Sequence, residues 1–506
     1  MKRYAVFAVL AIAFALTAGP IRIGWASRDI TPDFQVDIPG QMYRRPSEGV
    51  LDPLTVTALV LDDGATPLVL VSCDILGLCP EMVDPLLERL HREEPEIPVD
   101  NVILNGTHTH TSIPSKGPKD RAGKLFQDRV VEAVREAWAK RAPGAIARGS
   151  DVAQVGFPRR TIYFKPIKLP PDRPPRTPLY TGCGVMYGGT SNPEFSHLEN
   201  YTDHAVNFVF TFDPKGALTG AIINIPCPSQ CSESMRKLSA DYWHNVRETL
   251  RAKHGNIFIL PQCGAAGYMS PHNKLNVAAR RRRCELKYGR KEAFRNEFER
   301  LEIAEQVGAA FDRTLAWAKK DLRSEMPIRH RLLRLVLPPR VLTREEYLEG
   351  KEYLAVNRSR RPDPSWSPEK QQQFREGLEK NMKSMEIQLN RYDSENIAPI
   401  PTEVHVFAVG GVAFVSCNFE LFTEFMQRIQ GRSPYDQTLV IQIASSRAGG
   451  GLSYLPTATA ERNRGYGAVP GNSRVSSRGG QMIVEAAVKT LHEFQAPPAG
   501  TVAVPD

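Results

Sequence analysis

Apolar and polar residues follow one another in blocks along this chain, and the blocks predict strands interleaved with helices. Leu54 to Leu61 and Pro67 to Ser72 are apolar runs joined by Asp62-Asp-Gly64, which is a β-hairpin signal. The elements predicted next are a helix over Pro85 to Arg92, a buried strand over Val102 to Leu104 and an amphipathic helix over Phe126 to Arg141. Such alternation is typical of α/β domains.

The rest of the chain continues this alternation. Further strands are predicted over Ala205 to Phe212, Ala217 to Ile225, Asn256 to Leu260, Glu403 to Val409 and Val412 to Ser416. Further helices are predicted over Tyr242 to Lys253, Lys291 to Lys320, Ser365 to Tyr392, Glu420 to Gln430 and Gly479 to Phe494. Pro158 to Pro178 is rich in Pro, Arg and Lys, which predicts a loop or lid. Because no linker is evident, we predict an α/β fold in one large domain, residues 19–500, with a mixed β-sheet core and flanking helices.

The first 18 residues have the pattern of a signal peptide. Met1-Lys-Arg3 is a charged start, Tyr4 to Leu16 is an apolar run, and Thr17-Ala-Gly19 supplies small residues. The apolar run is shorter than a typical membrane span, although an uncleaved membrane anchor is the alternative. We therefore expect an exported protein, periplasmic or secreted, that loses residues 1–18.

Composition and charge limit the kinds of molecule that we expect this protein to bind. The chain has 506 residues, of which 42% are hydrophobic and 24% charged, as in ordinary globular proteins. Its net charge of +9 and the run Arg280 to Arg283 raise the question of nucleic-acid binding. The run leads into a stretch with Glu and Arg at i, i+4 spacing, which predicts a solvated helix face. We therefore predict no nucleic-acid partner, and eight cysteines are too few for a disulfide-stapled scaffold.

Candidate functional residues follow the predicted buried strand Val102 to Leu104. His108 and His110 come directly after its end, at the place where open α/β sheets keep their ligands. Two imidazoles at i, i+2 suit a metal ligand and a neighbouring proton-transfer group. A hydrogen-bonded pair of loop histidines is the alternative.

Three further motifs also place polar side chains just past apolar strands. They are Ile225-Pro-Cys-Pro-Ser229, the glycine-rich segment Pro261 to Pro271, and Asn418-Phe-Glu420 with the later Ser453 to Thr457 and Arg464-Gly-Tyr466. Active sites of α/β folds are commonly assembled from such strand ends.

Together these segments resemble the neutral/alkaline (non-lysosomal) ceramidase family. Ile21 to Pro32 resembles its first strand and "DITP" step, and Thr107-His-Thr-His-Thr111 resembles its "THTHSGP" motif. Tyr454 and Tyr466, twelve residues apart, resemble its pair of active-site tyrosines. The similarity spans about Ile21 to Phe494 and implies the fold of the ceramidase catalytic domain. We expect the family's C-terminal immunoglobulin-like domain to be missing.

The resemblance implies a zinc-dependent hydrolase that cleaves an amide. The implied zinc ligands are His108, Cys227, Glu420 and Tyr454. The implied catalytic residues are His110 as general base, Tyr466 as the group that stabilises the oxyanion, and Arg159 near the substrate. These roles suit the chemistry, because zinc with an open position polarises a carbonyl and lowers the pKa of bound water to about 7.

The sequence departs from the family pattern at two motifs. Cys227 replaces the histidine of the "HPTS" motif; it is a zinc ligand, a buried thiol, a disulfide partner of Cys231, or the mark of a lost metal site. Tyr268 replaces an acidic residue, and Asp241 is either a carboxylate that supports a ligand or a helix N-cap. Cys263 could act as a nucleophile, although a packing role is the simpler interpretation.

Two functions follow from these observations. The first is an exported zinc-dependent hydrolase for a small-molecule or lipid N-acyl substrate, for which contact with a membrane surface stays open. The alternative is a non-catalytic relative that keeps the fold as a binding protein. Bound zinc discriminates between the two, because only the hydrolase requires it.

Overall fold

The computed structural model describes residues 19–41, 43–167, 181–200, 202–289, 297–392, 397–449 and 453–496. The predicted signal peptide, residues 1–18, lies outside these residues. The helices are α1 (Pro80–Glu93), α2 (Arg121–Ala139), α3 (Tyr242–His254), α4 (Val277–Tyr288), α5 (Glu299–Ala318), α6 (Arg344–Arg358), α7 (Pro368–Leu389), α8 (Thr423–Arg432), α9 (Ala458–Asn463) and α10 (Ser477–Gln495), with a short 3-10 helix at Val99–Asn101. None of the helices in the described ranges is long and apolar enough to cross a membrane.

Within the described ranges, the strands fall into three large sheets and three small ones. The first ten strands are β1 (Arg22–Asp29), β2 (Thr55–Asp62), β3 (Leu68–Cys73), β4 (Val102–Gly106), β5 (Ala142–Pro143), β6 (Ala145–Val152), β7 (Phe157–Pro158), β8 (Arg160–Tyr163), β9 (Gly184–Met186) and β10 (Phe195–Leu198). The others are β11 (Ala205–Phe212), β12 (Leu218–Ile225), β13 (Phe258–Cys263), β14 (Met269–Ser270), β15 (Ile328–Leu337), β16 (Ile400–Val409), β17 (Val412–Ser416), β18 (Glu420–Leu421), β19 (Gln437–Ile441) and β20 (Tyr454–Leu455). The large sheets have the strand orders β4-β3-β2-β1-β5, β13-β12-β11-β6 and β15-β16-β17-β19.

Each large sheet is covered by helices on one face and packs against the other two sheets on the opposite face. Helices α1 and α2 cover the first sheet, α3 and α5 the second, and α8 and α10 the third. Between the sheets lies a shared core to which Trp25, Leu70, Ile222 and Phe407 contribute. Strands buried on both faces need apolar residues at successive positions, which explains the continuous apolar runs of β2 and β3.

Each large sheet also contains one parallel strand pair, and the carboxyl ends of these pairs meet. The pairs are β3 with β4, β12 with β13, and β17 with β19. Asn105 at the end of β4 donates a hydrogen bond to the carbonyl of Pro261 in β13 (3.1 Å). The Gln442 N–H, just past β19, donates to the carbonyl of Cys263 (2.9 Å). The loops that leave these strand ends are therefore brought to one place.

The predicted fold class is confirmed, and so are most of the predicted elements. The hairpins β2–β3, β11–β12 and β16–β17 are antiparallel pairs, as predicted. The helix predicted from Glu420 begins instead at Thr423, and Glu420 lies in β18.

The loop predicted over residues 158–178 is partly wrong. The central strand of a small sheet, β8, occupies Arg160–Tyr163, whereas residues 168–180 lie outside the described part. The basic composition of this segment suggested an exposed loop. Arg160 is nevertheless fully buried, because Glu199 and backbone carbonyls pair with its guanidinium.

Candidate active site

His108 lies at the point where β4 ends, and its ring is held in one orientation. Its backbone has a φ of 61°, a left-handed conformation that is rare for residues other than glycine, Asn and Asp. Nδ1 lies 2.7 Å from the carbonyl oxygen of Leu76. Because a carbonyl only accepts, Nδ1 carries a proton, and in a neutral ring Nε2 then keeps its lone pair. Nε2 lies 3.5 Å from Oε2 of Glu420.

Glu420 and Tyr454 are neighbours because their two short strands pair in parallel register. The Tyr454 hydroxyl contacts the Glu420 carboxyl group, and burial, followed by the charge of Glu420, raises the pKa of Tyr454. The Tyr466 ring packs edge-on against the Tyr454 ring, with 5.5 Å between centroids. Burial raises the pKa of Tyr466 to about 12, so that both phenols remain protonated near neutral pH. The structure thus brings three of the predicted site residues, counting His108, against Glu420.

Arg159 supplies a buried cation to this cluster. Its guanidinium lies 3.6 Å from Glu420 Oε2 and donates hydrogen bonds to the Tyr454 hydroxyl (3.2 Å) and the Gly267 carbonyl (3.1 Å). Burial disfavours its charge, but the surrounding hydroxyl and carboxylate oxygens outweigh that effect and raise its pKa. Arg159 therefore stays charged beside the carboxylate.

Gln230 connects Arg159 to His110. Arg159 donates to the side-chain oxygen of Gln230 (3.0 Å), so the amide nitrogen of Gln230 must face the opposite way. That nitrogen lies 2.6 Å from Nε2 of His110, which therefore accepts the hydrogen bond and is unprotonated. Burial lowers the pKa of His110 well below its ordinary value. His110 is thus a neutral imidazole.

The Cys227 thiol faces backbone carbonyls. Its Sγ lies 3.7 Å from the carbonyl oxygen of Val155 and 3.5 Å from that of Pro228. Burial raises the pKa of the Cys227 thiol well above its ordinary value, so that it is protonated near neutral pH. Cys227 and Cys231 are both free thiols. The role of Cys227 as a ligand stays a prediction.

The structure also locates the other residues about which the sequence left alternatives. Tyr268 is fully buried and packs against Phe422, so it fills the core in place of the family's acid. Asp241 caps α3 and also accepts the backbone N–H groups of Cys231 and Ser232, which fixes the loop that carries Gln230. Burial raises the pKa of Cys263 to about 12, which is unsuited to a thiolate nucleophile.

Two solved structures match this architecture over nearly the whole chain. A ceramidase complexed with C2 matches with a TM-score of 0.62 and 16% sequence identity, over 96% of this chain and 77% of that one. The neutral ceramidase from Pseudomonas aeruginosa matches with a TM-score of 0.62 and 17% identity, over the same shares. The chain has the fold of the neutral ceramidases. No protein-family model and no curated protein sequence matches it.

A zinc ion fits part of the donor set that the ceramidase resemblance implies. Zinc–ligand bonds of about 2.0–2.1 Å in a tetrahedral site place two donor atoms roughly 3.4 Å apart. Nε2 of His108 and Oε2 of Glu420, 3.5 Å apart, match that spacing. Oε2 is buried and, among the described residues, has no hydrogen-bond partner. His108 Nδ1, held by a carbonyl, is oriented as in many metal-binding histidines.

The Tyr454 hydroxyl is the third donor of this set. Within the described ranges no group of three or more His, Cys, Asp or Glu side chains could hold a metal ion. A zinc site in this fold would therefore have to use the tyrosine as well as His108 and Glu420.

Sequence reasoning missed two polar residues of the cluster, Gln230 and Tyr187. The Tyr187 hydroxyl lies 3.3 Å from Arg159 Nη1. Tyr187 shares a positive φ with His108, and such backbone strain is concentrated at functional sites. Gln230 directly follows the motif Cys-Pro-Ser229, so its position was a usable signal, whereas nothing in the sequence around Tyr187 indicates a site.

Proposed function

We propose that this protein is a zinc-dependent hydrolase that cleaves a linear amide bond in an N-acyl compound. One observation carries the proposal: His108 Nε2 and Glu420 Oε2 lie 3.5 Å apart in a buried cluster with the Tyr454 hydroxyl. Arg159 balances the charge of this carboxylate from 3.6 Å, but Oε2 has no hydrogen-bond partner among the described residues, so its lone pairs are available to a metal. The ceramidase fold supports the same conclusion.

His108, Glu420 and Tyr454 would hold the metal, with Cys227 as the predicted fourth ligand. Bound there, zinc would supply Lewis-acid polarisation of the scissile carbonyl. The protein's own residues perform the remaining steps. His110, neutral and with its Nε2 lone pair available once the Gln230 amide turns away, accepts the proton of the attacking water.

Tyr466 stabilises the oxyanion, because its phenol remains protonated near neutral pH and can donate a hydrogen bond. Arg159 orders the site by its contacts with Glu420, Tyr454 and Gln230. The water is added across the C–N bond, which leaves a carboxylate and an amine as products.

The second candidate is a binding protein without hydrolase chemistry. It is favoured by the Arg159 guanidinium, which already compensates the charge of Glu420, and by the Cys227 thiol, which faces carbonyl oxygens. In that case the cluster is a polar anchor for a ligand and needs no metal.

A matched pair of variants distinguishes the two candidates. Purified zinc-loaded protein is incubated with N-acyl sphingosines, N-acylethanolamines and N-acyl amino acids, and release of primary amine is measured. Glu420→Gln should abolish amine release and lower the zinc content. Glu403→Gln should retain both, because Glu403 is an equally buried carboxylate that accepts the Arg447 N–H far from the cluster. Wild-type protein that binds no zinc and releases no amine would favour the binding protein.

Export and lipid contact belong to the same proposal. We propose that residues 1–18 are removed on export and that the substrate is a small-molecule or lipid N-acyl compound, reached with or without contact to a membrane surface. Amino-terminal sequencing of protein recovered from the periplasm or medium should begin near residue 19. A mature protein that still begins at Met1 would contradict export with cleavage.

A further inference from the structure

The candidate site has a buried side and a solvent side. The side chains of His108, Arg159, Gln230 and Glu420 are almost completely buried. Tyr187, in contrast, is 38% exposed. A substrate that reaches the cluster from solvent must therefore pass the residues on the exposed side.

Tyr187 spans the distance from solvent to the cluster. Its hydroxyl lies 3.3 Å from Arg159 Nη1 and 3.3 Å from the Ser270 hydroxyl, inside the cluster. Burial raises the pKa of this phenol, which therefore keeps its proton. Because the residue is partly exposed while its hydroxyl lies inside the cluster, one side chain offers both an apolar ring and a hydrogen-bond donor.

The backbone holds Tyr187 in a strained conformation. The Tyr187 N–H donates to the carbonyl of Arg159 (2.7 Å), which fixes the residue directly beside the cluster. Its φ of 57° is rare for a bulky aromatic residue, and a glycine or asparagine would adopt it without strain. Gly188 and Gly189 follow immediately, yet the left-handed conformation belongs to Tyr187 and to neither glycine. Strain of this kind is concentrated at ligand-binding and catalytic residues.

We propose that Tyr187 is a substrate-contacting residue whose hydroxyl turns its proton from Ser270 Oγ to an oxygen of the substrate beside the scissile amide. The ring then packs against the adjoining part of the substrate. Arg159 and Ser270 hold the hydroxyl in place before the substrate arrives. This inference rests on the proposed function, since it assigns a further contact at the same site.

The test compares two tyrosines from the same part of the fold. Tyr187→Phe removes the hydroxyl but keeps the ring. Tyr163→Phe is the control, because the Tyr163 hydroxyl donates to the Gly189 carbonyl (3.1 Å) outside the cluster. For the best substrate of the panel above, Tyr187→Phe should lower kcat/KM about tenfold, as expected for one lost hydrogen bond to substrate. Tyr163→Phe should stay within about twofold, and the melting temperatures of both should match the wild type.

Binding of N-dodecanoylethanolamine, measured by calorimetric titration, separates this inference from the proposed function. If the wild type binds this probe but hydrolyses nothing in the panel, the hydrolase proposal fails. The Tyr187 inference then stands if Tyr187→Phe binds at least about fivefold more weakly, roughly 1 kcal/mol. Equal kcat/KM, or equal binding where hydrolysis is absent, overturns the Tyr187 inference. A wild type that neither hydrolyses the panel nor binds the probe overturns both.

Discussion

Two pairs of histidines lie in or beside the core of this protein, and their surroundings differ. His330 and His405 face each other across β15 and β16, with 3.0 Å between Nε2 and Nδ1 and with stacked rings. His108 and His110 pack edge to face, 5.0 Å between centroids, and each contacts a different polar partner. The two histidines on the sheet contact each other through their ring nitrogens. The two histidines in the loop direct their ring nitrogens towards other groups.

The difference identifies a criterion for function that burial alone does not supply. His405 is as buried as His108, and burial lowers the pKa of His405 to about 3, yet a ring nitrogen of His405 is satisfied by its neighbour. At the loop pair, His110 Nδ1 and Glu420 Oε2 are buried without a hydrogen-bond partner among the described residues. A buried polar atom without a hydrogen-bond partner, rather than a buried histidine as such, indicates a ligand site.

The largest expected effect distinguishes the two pairs directly. His108→Gln should lower kcat for amide hydrolysis by roughly 10³-fold or more, because it removes a ligand of the proposed metal. His405→Gln should leave kcat within about threefold for the protein that remains folded, because its ring lies on a sheet far from the cluster. Steady-state kinetics on the best N-acyl substrate provides the measurement. Similar losses in both variants would remove the functional distinction between the pairs.

The second prediction concerns the buried guanidinium of Arg160, whose hydrogen-bond acceptors belong to the protein itself. Arg160 pairs with Glu199 and donates to the Tyr466 carbonyl (2.8 Å), so it stabilises the loop that carries Tyr466. Arg160→Ala should lower the free energy of unfolding by about 3–5 kcal/mol, because Glu199 is left as an uncompensated buried charge. Arg432→Ala, which breaks an exposed pair with Glu485, should have a much smaller effect, because solvent screens that pair.

Denaturant unfolding of these two variants beside the wild type provides the values. Equal costs would contradict the view that satisfied buried polar groups in this protein contribute mainly to stability.

The sheet pair should make stability depend on pH. Burial lowers the pKa of His330 to about 4 and of His405 to about 3, below the value of about 6.5 in the unfolded chain. Between these values the unfolded state binds more protons, so stability falls as the pH falls below about 6.5. The loss should be roughly 2 kcal/mol or more between pH 7 and pH 5.

The double variant with His330→Gln and His405→Gln should lose that part of the pH dependence. Denaturant unfolding at several pH values measures it for both proteins. A double variant with the same slope as the wild type would mean that the two histidines do not contribute it.

The smallest effect is expected at Cys263. Its thiol accepts a hydrogen bond from Gln442 (3.3 Å) and is buried, and its pKa of about 12 keeps it protonated. Cys263→Ala should therefore leave kcat within about threefold and cost about 1 kcal/mol of stability through lost packing. An inactive but folded Cys263→Ala variant would instead indicate a nucleophilic thiol.

Most of the strands and helices that were predicted are confirmed, because their apolar periodicity is determined by burial. It predicted less about the site, because contacts there join residues far apart in the chain. Glu420 and Tyr454 could be named from motifs, but the parallel pairing that makes them neighbours could not be seen. The strand β8 was missed because the sequence alone does not distinguish a buried, paired arginine from an exposed one.

The departures from the family pattern were informative in different ways. Tyr268 proved to be a core residue, and Asp241 proved to be a cap that also fixes a loop. Tyr187 could not be predicted at all, because its importance lies in its backbone conformation and in where its hydroxyl points.

Zinc content tests the central claim most directly. Elemental analysis is made on the purified mature protein after reconstitution under reducing conditions, for the wild type, His108→Ala, Cys227→Ala and His405→Gln. We predict about one zinc per chain in the wild type and in His405→Gln, and almost none in His108→Ala. Loss of zinc from Cys227→Ala would add the Cys227 thiol to the zinc ligands. Retention of zinc in that variant would leave three ligands, His108, Glu420 and Tyr454. A wild type without zinc, or zinc retained in full by His108→Ala, would contradict the account.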